Sequence, residues 1–223
     1  MTTRRALVAL VTLVTSGWAL NACARSPEAS LEKWQAGTNY KLAPAPQPTN
    51  VGAGKVEVNE VFWYGCGHCY ALDPALESWK TSKAPYVEFV RIPVIWGPVH
   101  RQHAKLFYTL QALHRPDLHT KVFDAIHKLG MPLSARDETE ARALHRGFLL
   151  GEGVSEKDFD AAYDSMSVAT NIGRAEEFTR KFEVGSVPLM IVNRKYITSV
   201  SEAGSEAKLI GLVNDLAASE KAR

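Results

Sequence analysis

Along Lys55–Tyr64, KVEVNEVFWY, apolar and polar residues first alternate and then merge. Val56, Val58, Glu60 and Phe62 fall on one face, and the run ends apolar on both. This pattern predicts a strand entering the middle of a buried sheet. In the next segment, CYALDPALESWKTSK, the period changes, and Leu72, Leu76 and Trp79 recur at helical spacing. Pro74 lies inside that helix, where a missing hydrogen bond predicts a kink. YVEFVRIPVIW then reads as a second strand from Tyr86 to Ile92. Strand, helix and strand make a unit expected to pair in parallel.

From His103 to Phe182 the pattern is helical throughout. One helix carries Ala104, Phe107, Leu110 and Leu113, and a second carries Leu118, Val122, Ile126 and Leu129 and stops at Gly130. Ser134 with Asp137 offers an N-cap for a helix bearing Ala141, Leu144 and Phe148. Ser155 with Asp158 opens a long helix bearing Phe159, Tyr163 and Met166, with a break expected around Asn171–Gly173. Strand signals then return in VPLMIVN and KYITSV, joined at Asn193-Arg194 as a hairpin. A last helix follows Ser205, with Leu209, Leu212, Val213 and Leu216. The order is α/β at both ends and helical between, as for a helical block inserted into a small α/β domain. Phe107, Phe123, Phe148 and Phe159 read as core, and His114, His119, His127 and His145, set among charged residues, as solvated helix faces.

The amino terminus differs from the rest. Arg4 and Arg5 precede an apolar run, Ala6–Leu20, that is shorter than the roughly twenty residues a membrane span needs and has the layout of an export signal. Leu20-Asn21-Ala22-Cys23 resembles a lipobox, in which Cys23 is acylated and becomes the new amino terminus. Ordinary cleavage nearby is the alternative. Loss of residues 1–22 would remove Arg4 and Arg5 and no acid, leaving 24 of the 26 basic residues against 24 acidic ones. At a near-zero balance nothing argues for nucleic-acid binding, which wants a basic patch. A Pro- and Gly-rich tether, LAPAPQPTNVGAG, leads into the first long strand, with an edge strand expected near Tyr40–Leu42.

Of the three cysteines, Cys66 and Cys69 remain for the folded part, in WYGCGHCY between strand and helix. Export would put them where disulfides persist. A helix N-terminus carries partial positive charge and unpaired N–H groups. Cys66 at that end should have a lowered pKa, while Cys69, one turn on, should face inward and stay a thiol. His68 can donate to the Cys66 thiolate or oppose it with positive charge, and a stabilised reduced form makes the disulfide a stronger oxidant. Gly67 lets a partner chain come close. Metal binding is the rival reading: zinc needs four ligands, and His100 and His103 would have to supplement the thiols. Copper delivery is another version of it. A structural staple closing so small a loop restrains the unfolded chain little. Trp63 and Tyr64 either pack under the motif or face a peptide.

FWYGCGHCYALDP and the distant VGSVPLMIVN resemble the DsbA-like branch of the thioredoxin superfamily. The resemblance spans nearly the whole chain after Cys23. It implies an α/β thioredoxin-like fold with an inserted all-helical domain: signal peptide 1–22, tether and edge strand 23–54, first thioredoxin-like part 55–98, helical insertion 99–182, second part 183–223. It also implies that Val187 and Pro188, the latter cis, face the cysteine pair and bind substrate backbone, and that Glu60 is a buried acid exchanging a proton with Cys69. The alternative for Glu60 is a strand-edge carboxylate turned to water. The dipeptide Gly67-His68 departs from the Pro-His of the best-known DsbA and is similar to that of protein disulfide isomerases, so no redox potential carries over. The expected activity is a thiol:disulfide oxidoreductase that introduces disulfides into reduced exported polypeptides, with no cofactor beyond the Cys66–Cys69 disulfide and no metal. The resemblance further implies reoxidation by a DsbB-like membrane quinone reductase and a monomer in the periplasm, lipid-anchored through Cys23. A reductase or isomerase of exported partners and a Cys/His metallochaperone are the alternatives.

Overall fold

The computed structural model describes residues 31–45 and 47–222. The expectations for residues 1–22 and for Cys23 lie outside them. Among the described residues, five strands form one sheet in the order β1-β5-β4-β2-β3: β1 Lys41–Leu42, β2 Val56–Phe62, β3 Val87–Pro93, β4 Leu189–Val192 and β5 Tyr196–Thr198. β2 is buried along its whole length, as its merged pattern requires. It pairs in parallel with β3 and antiparallel with β4. β4 and β5 form the hairpin, turning on Asn193 and Arg194 at φ 50° and 53°, the paired positive values of a type I′ turn.

α1 (Gly67–Ser82) connects β2 to β3. It continues through Pro74, where the sequence predicted a kink. Five helices lie between β3 and β4: α2 Pro98–Ala112, α3 Leu118–His127, α4 Glu138–Gly151, α5 Glu156–Tyr163 and α6 Met166–Lys181. The chain closes with α7 (Val200–Ala203) and α8 (Glu206–Lys221). One apolar cluster joins Val56 and Val58 to Leu72, Leu76 and Trp79 of α1 and to Leu209, Leu212 and Leu216 of α8. The other joins Val61, Phe62, Leu189 and Ile191 to the inserted helices through Leu106, Phe123, Phe159 and Phe178. Each fully buried Leu or Phe contributes about 2 kcal/mol by leaving water, and the sheet is covered on both faces.

Three expectations change. The α4 cap is Asp137, which accepts from the N–H groups of Thr139 and Glu140, and not Ser134. The long helix after Ser155 breaks at Asp164–Ser165, where Ser165 caps α6, and runs unbroken through Asn171–Gly173. Met166, placed by its spacing on the same helix as Phe159 and Tyr163, is 84% exposed because it opens a new helix instead of continuing the old face. His119 and His145, read as solvated, are 4% and 0% exposed. Each has a buried tyrosine hydroxyl as partner: Tyr64 for His119 and Tyr163 for His145.

Candidate active site

The site begins at the end of β2. Cys66 N–H donates to Trp63 O at 3.0 Å, closing a tight turn over Trp63–Cys66. Gly65 fits there because a Cβ would lie 2.4 Å from the Trp63 ring. Cys66 is the N-cap of α1, in extended conformation, and its sulfur accepts from the Cys69 N–H at 3.4 Å. A cap normally carries a hydroxyl or carboxylate oxygen; here a sulfur takes that place at the positive end of the helix.

The two sulfurs occupy opposite environments. Cys66 is half-buried and Cys69 fully buried, and both are free thiols. The Cys66 pKa is lowered to about 6, first by the hydrogen bond from the Cys69 thiol, with burial opposing, and then by the Cys69 and His68 N–H groups and the His68 charge. Burial pushes the Cys69 thiol far up, and its bond to Cys66 and the charges of Cys66 and Glu60 push the same way. His68 is exposed beside the pair. Across from it the Val187–Pro188 peptide is cis, and the Cys66 S–H donates to Val187 O at 3.6 Å. The fold therefore brings Cys66, Cys69, His68 and the Val187–Pro188 loop together from two segments far apart in sequence.

Glu60 lies beneath, fully buried on the α1 side of β2. Burial raises its pKa, and Arg91 offsets only part of the rise. Arg91 of β3 was not singled out from sequence. It donates to Glu60 at 2.7 Å, to Asp73 at 2.8 Å and to Glu77 at 2.6 Å. A signal for it existed: Arg91 interrupts the apolar run of β3 directly across the register from Glu60. Asp73 also accepts from Thr120 Oγ1 at 2.8 Å, and His119 Nε2 lies 3.5 Å from it. Tyr64, whose role the sequence left open, is fully buried, with its hydroxyl 2.8 Å from His119 Nδ1. Trp63 is half-buried against His100, with ring centroids 4.5 Å apart. Among the described residues no group of three or more His, Cys, Asp or Glu side chains has the geometry to hold a metal ion.

A Cys-x-x-Cys pair at a strand–helix junction, one sulfur primed and one sheltered, opposite a cis-proline loop on a thioredoxin-like sheet, defines a thiol–disulfide oxidoreductase. Comparison with known proteins narrows the class. No protein-family model matches the chain. It is 33% identical over 195 residues to the thiol:disulfide interchange protein DsbA of Pseudomonas aeruginosa, covering 87% of this chain and 89% of that one. It is 35% identical over 179 residues to DsbA of Azotobacter vinelandii, covering 80% and 78%. The crystal structure of P. aeruginosa DsbA superposes with a TM-score of 0.77 over 85% of this chain and 95% of that one, and that of Xylella fastidiosa DsbA with 0.75 at 26% identity over 84% and 97%. The chain belongs to the DsbA family of thiol:disulfide interchange proteins.

Proposed function

We propose that the chain is a dithiol oxidase of exported polypeptides, with Cys66 as the attacked and attacking sulfur and Cys69 as the resolving one. What carries the reading is the asymmetry of the pair: Cys66 is half-buried with a pKa near 6, and Cys69 is sealed and held as a thiol. A substrate thiolate attacks Sγ of Cys66 in the Cys66–Cys69 disulfide. The S–S bond breaks, and its electron pair leaves on Cys69, which takes a proton. Glu60, a buried carboxyl with a raised pKa, supplies that proton and recovers one from solvent. A second substrate thiolate then attacks the substrate sulfur of the mixed disulfide. Cys66 departs as a thiolate, a good leaving group because its pKa is low. Two substrate thiols become a disulfide, and the enzyme keeps the two electrons, one proton on Cys69 and a thiolate on Cys66. His68 stabilises that thiolate. Val187 and Pro188 bind the substrate backbone alongside it.

The same reading assigns residues 1–22 to an export signal and Cys23 to a lipid anchor, with the folded chain in the periplasm, divided as 23–54, 55–98, 99–182 and 183–223. A DsbB-like membrane quinone reductase would return the pair to the disulfide.

The test uses a reduced peptide with two cysteines. Cys66→Ser should abolish turnover, and Cys69→Ser should accumulate a mixed disulfide through Cys66. The reverse outcome would exchange the two roles. Equilibration with glutathione fixes the direction of electron flow: a disulfide that glutathione reduces readily is an oxidant, and one that resists it runs as a reductase.

A further inference from the structure

One helix of the insertion grips the active turn on both sides of Cys66. Ahead of the cysteine, His127 Nε2 donates to the Tyr64 carbonyl at 2.8 Å. Behind it, the His127 ring stacks on Tyr70, with centroids 4.7 Å apart and planes within 5°. Tyr70 is tied into the first turn of α1 by its N–H to Cys66 O at 3.0 Å, and its hydroxyl donates to Asp124 at 2.9 Å. A third bond from the same helix joins His119 to the Tyr64 hydroxyl. The gripping side chains, His119, Asp124 and His127, belong to α3, outside the strand–helix unit that bears the cysteines.

We infer that α3 is the template of the active turn and that His127 is a positioning residue for the Cys66 sulfur. The inference rests on Cys66 being the attacking sulfur. The thiolate is stabilised by N–H groups of the first helical turn and by the Cys69 thiol. Those bonds depend on where the Cys66 backbone sits on the helix end. With the peptide two residues before it and the side chain four residues after it both held by α3, that backbone cannot drift from the donors. A bond to a carbonyl is lost if the donor is removed, and a stacked ring alone does not replace its direction. The turn would then sample arrangements in which the sulfur is further from its N–H donors, and the thiolate would lose part of its stabilisation.

The experiment titrates the Cys66 thiolate by its ultraviolet absorbance and measures the equilibrium constant with glutathione. In the reduced wild-type chain the midpoint is expected near the lowered value of about 6. His127→Leu should raise that midpoint and shift the glutathione constant about three- to tenfold toward the oxidised protein, a tenfold change matching about one pKa unit. His127→Gln, which keeps an N–H donor, should recover most of the shift; a merely structural role would not order the two variants this way. A folded His127→Leu chain with midpoint and constant within about twofold of wild type overturns the inference. Should that variant not fold, Asp124→Ala carries the test. It releases the Tyr70 hydroxyl at the half-exposed end of the clamp, with a smaller change in the same direction expected and no change overturning it. A wild-type Cys66 that titrates like an ordinary thiol, near about 8.5, overturns the reading of the site itself, and the inference falls with it.

Discussion

The Cys66 pKa ties redox state to stability. In the folded reduced chain it is about 6, below the roughly 8.5 of an unfolded thiol. A depressed folded pKa adds stability that is full above the unfolded value and is lost as pH falls through the folded one. The oxidised chain has no such group. Cys69 stays protonated in both states below pH 8, so it does not disturb the comparison. The stability of the reduced form relative to the oxidised form should therefore shrink as pH falls from 8 to 5. Urea unfolding of both forms at several pH values checks this, and a pH-independent difference would refute it. At this scale the cysteines were legible in the sequence, because a strand, two thiols and a helix are contiguous. His119, Asp73 and Arg91 were not, because what gives each its role is a partner brought close by folding. A histidine among charged neighbours in the chain looks solvated until the tertiary packing buries it against a tyrosine.

At the level of elements, Arg91 fastens β2, β3 and α1 through three carboxylates. Glu60 and Asp73 are buried, and both lose their shared guanidinium when the cation is removed. Arg91→Met should cost about 3–5 kcal/mol, the range for breaking a buried pair, read from the urea midpoint of the oxidised chain. A loss under about 1 kcal/mol would mean that the carboxylates had taken up protons instead. The inserted helices give a test of the opposite sign. Gly173 sits inside α6, and a Cβ there would meet nothing within 4 Å. Gly173→Ala should raise stability by about 0.5–1 kcal/mol through helix propensity; a fall would mean that the space is not open. The same glycine explains an error of reading: Asn171-Ile172-Gly173 looked like a break, yet the real boundary is Ser165, whose side chain accepts from Val168 N–H. Periodicity passes smoothly across a cap, so Met166 seemed to continue the helix of Phe159 and Tyr163.

On the scale of the whole molecule, the insertion was legible as a change of period between two α/β ends, and so was the parallel pairing of β2 with β3, while the antiparallel pairing of β2 with β4 came only from the structure. The interior of the insertion was less legible, because a helical pattern does not say which polar residues the packing will enclose. That interior sets the acid limit of the fold. Burial lowers His103, His119 and His145 to about 4 each, from an ordinary value of 6.5. Folded pKa values below the unfolded ones mean stability that is present above about pH 6.5 and is lost as pH falls toward 4. With three groups the slope approaches about 4 kcal/mol per pH unit, trimmed by Glu60, which shifts the other way. Urea midpoints across this window should fall steeply, and a flat profile would show that these rings titrate in the fold as they do in the unfolded chain. The sealed position of Cys69 has a practical consequence as well. A maleimide or iodoacetamide reaching the folded, reduced chain meets a single receptive sulfur in the pair, on Cys66. The mass added there counts reduced molecules one for one, so the fraction reduced inside a cell can be read from a single tag without unfolding the protein.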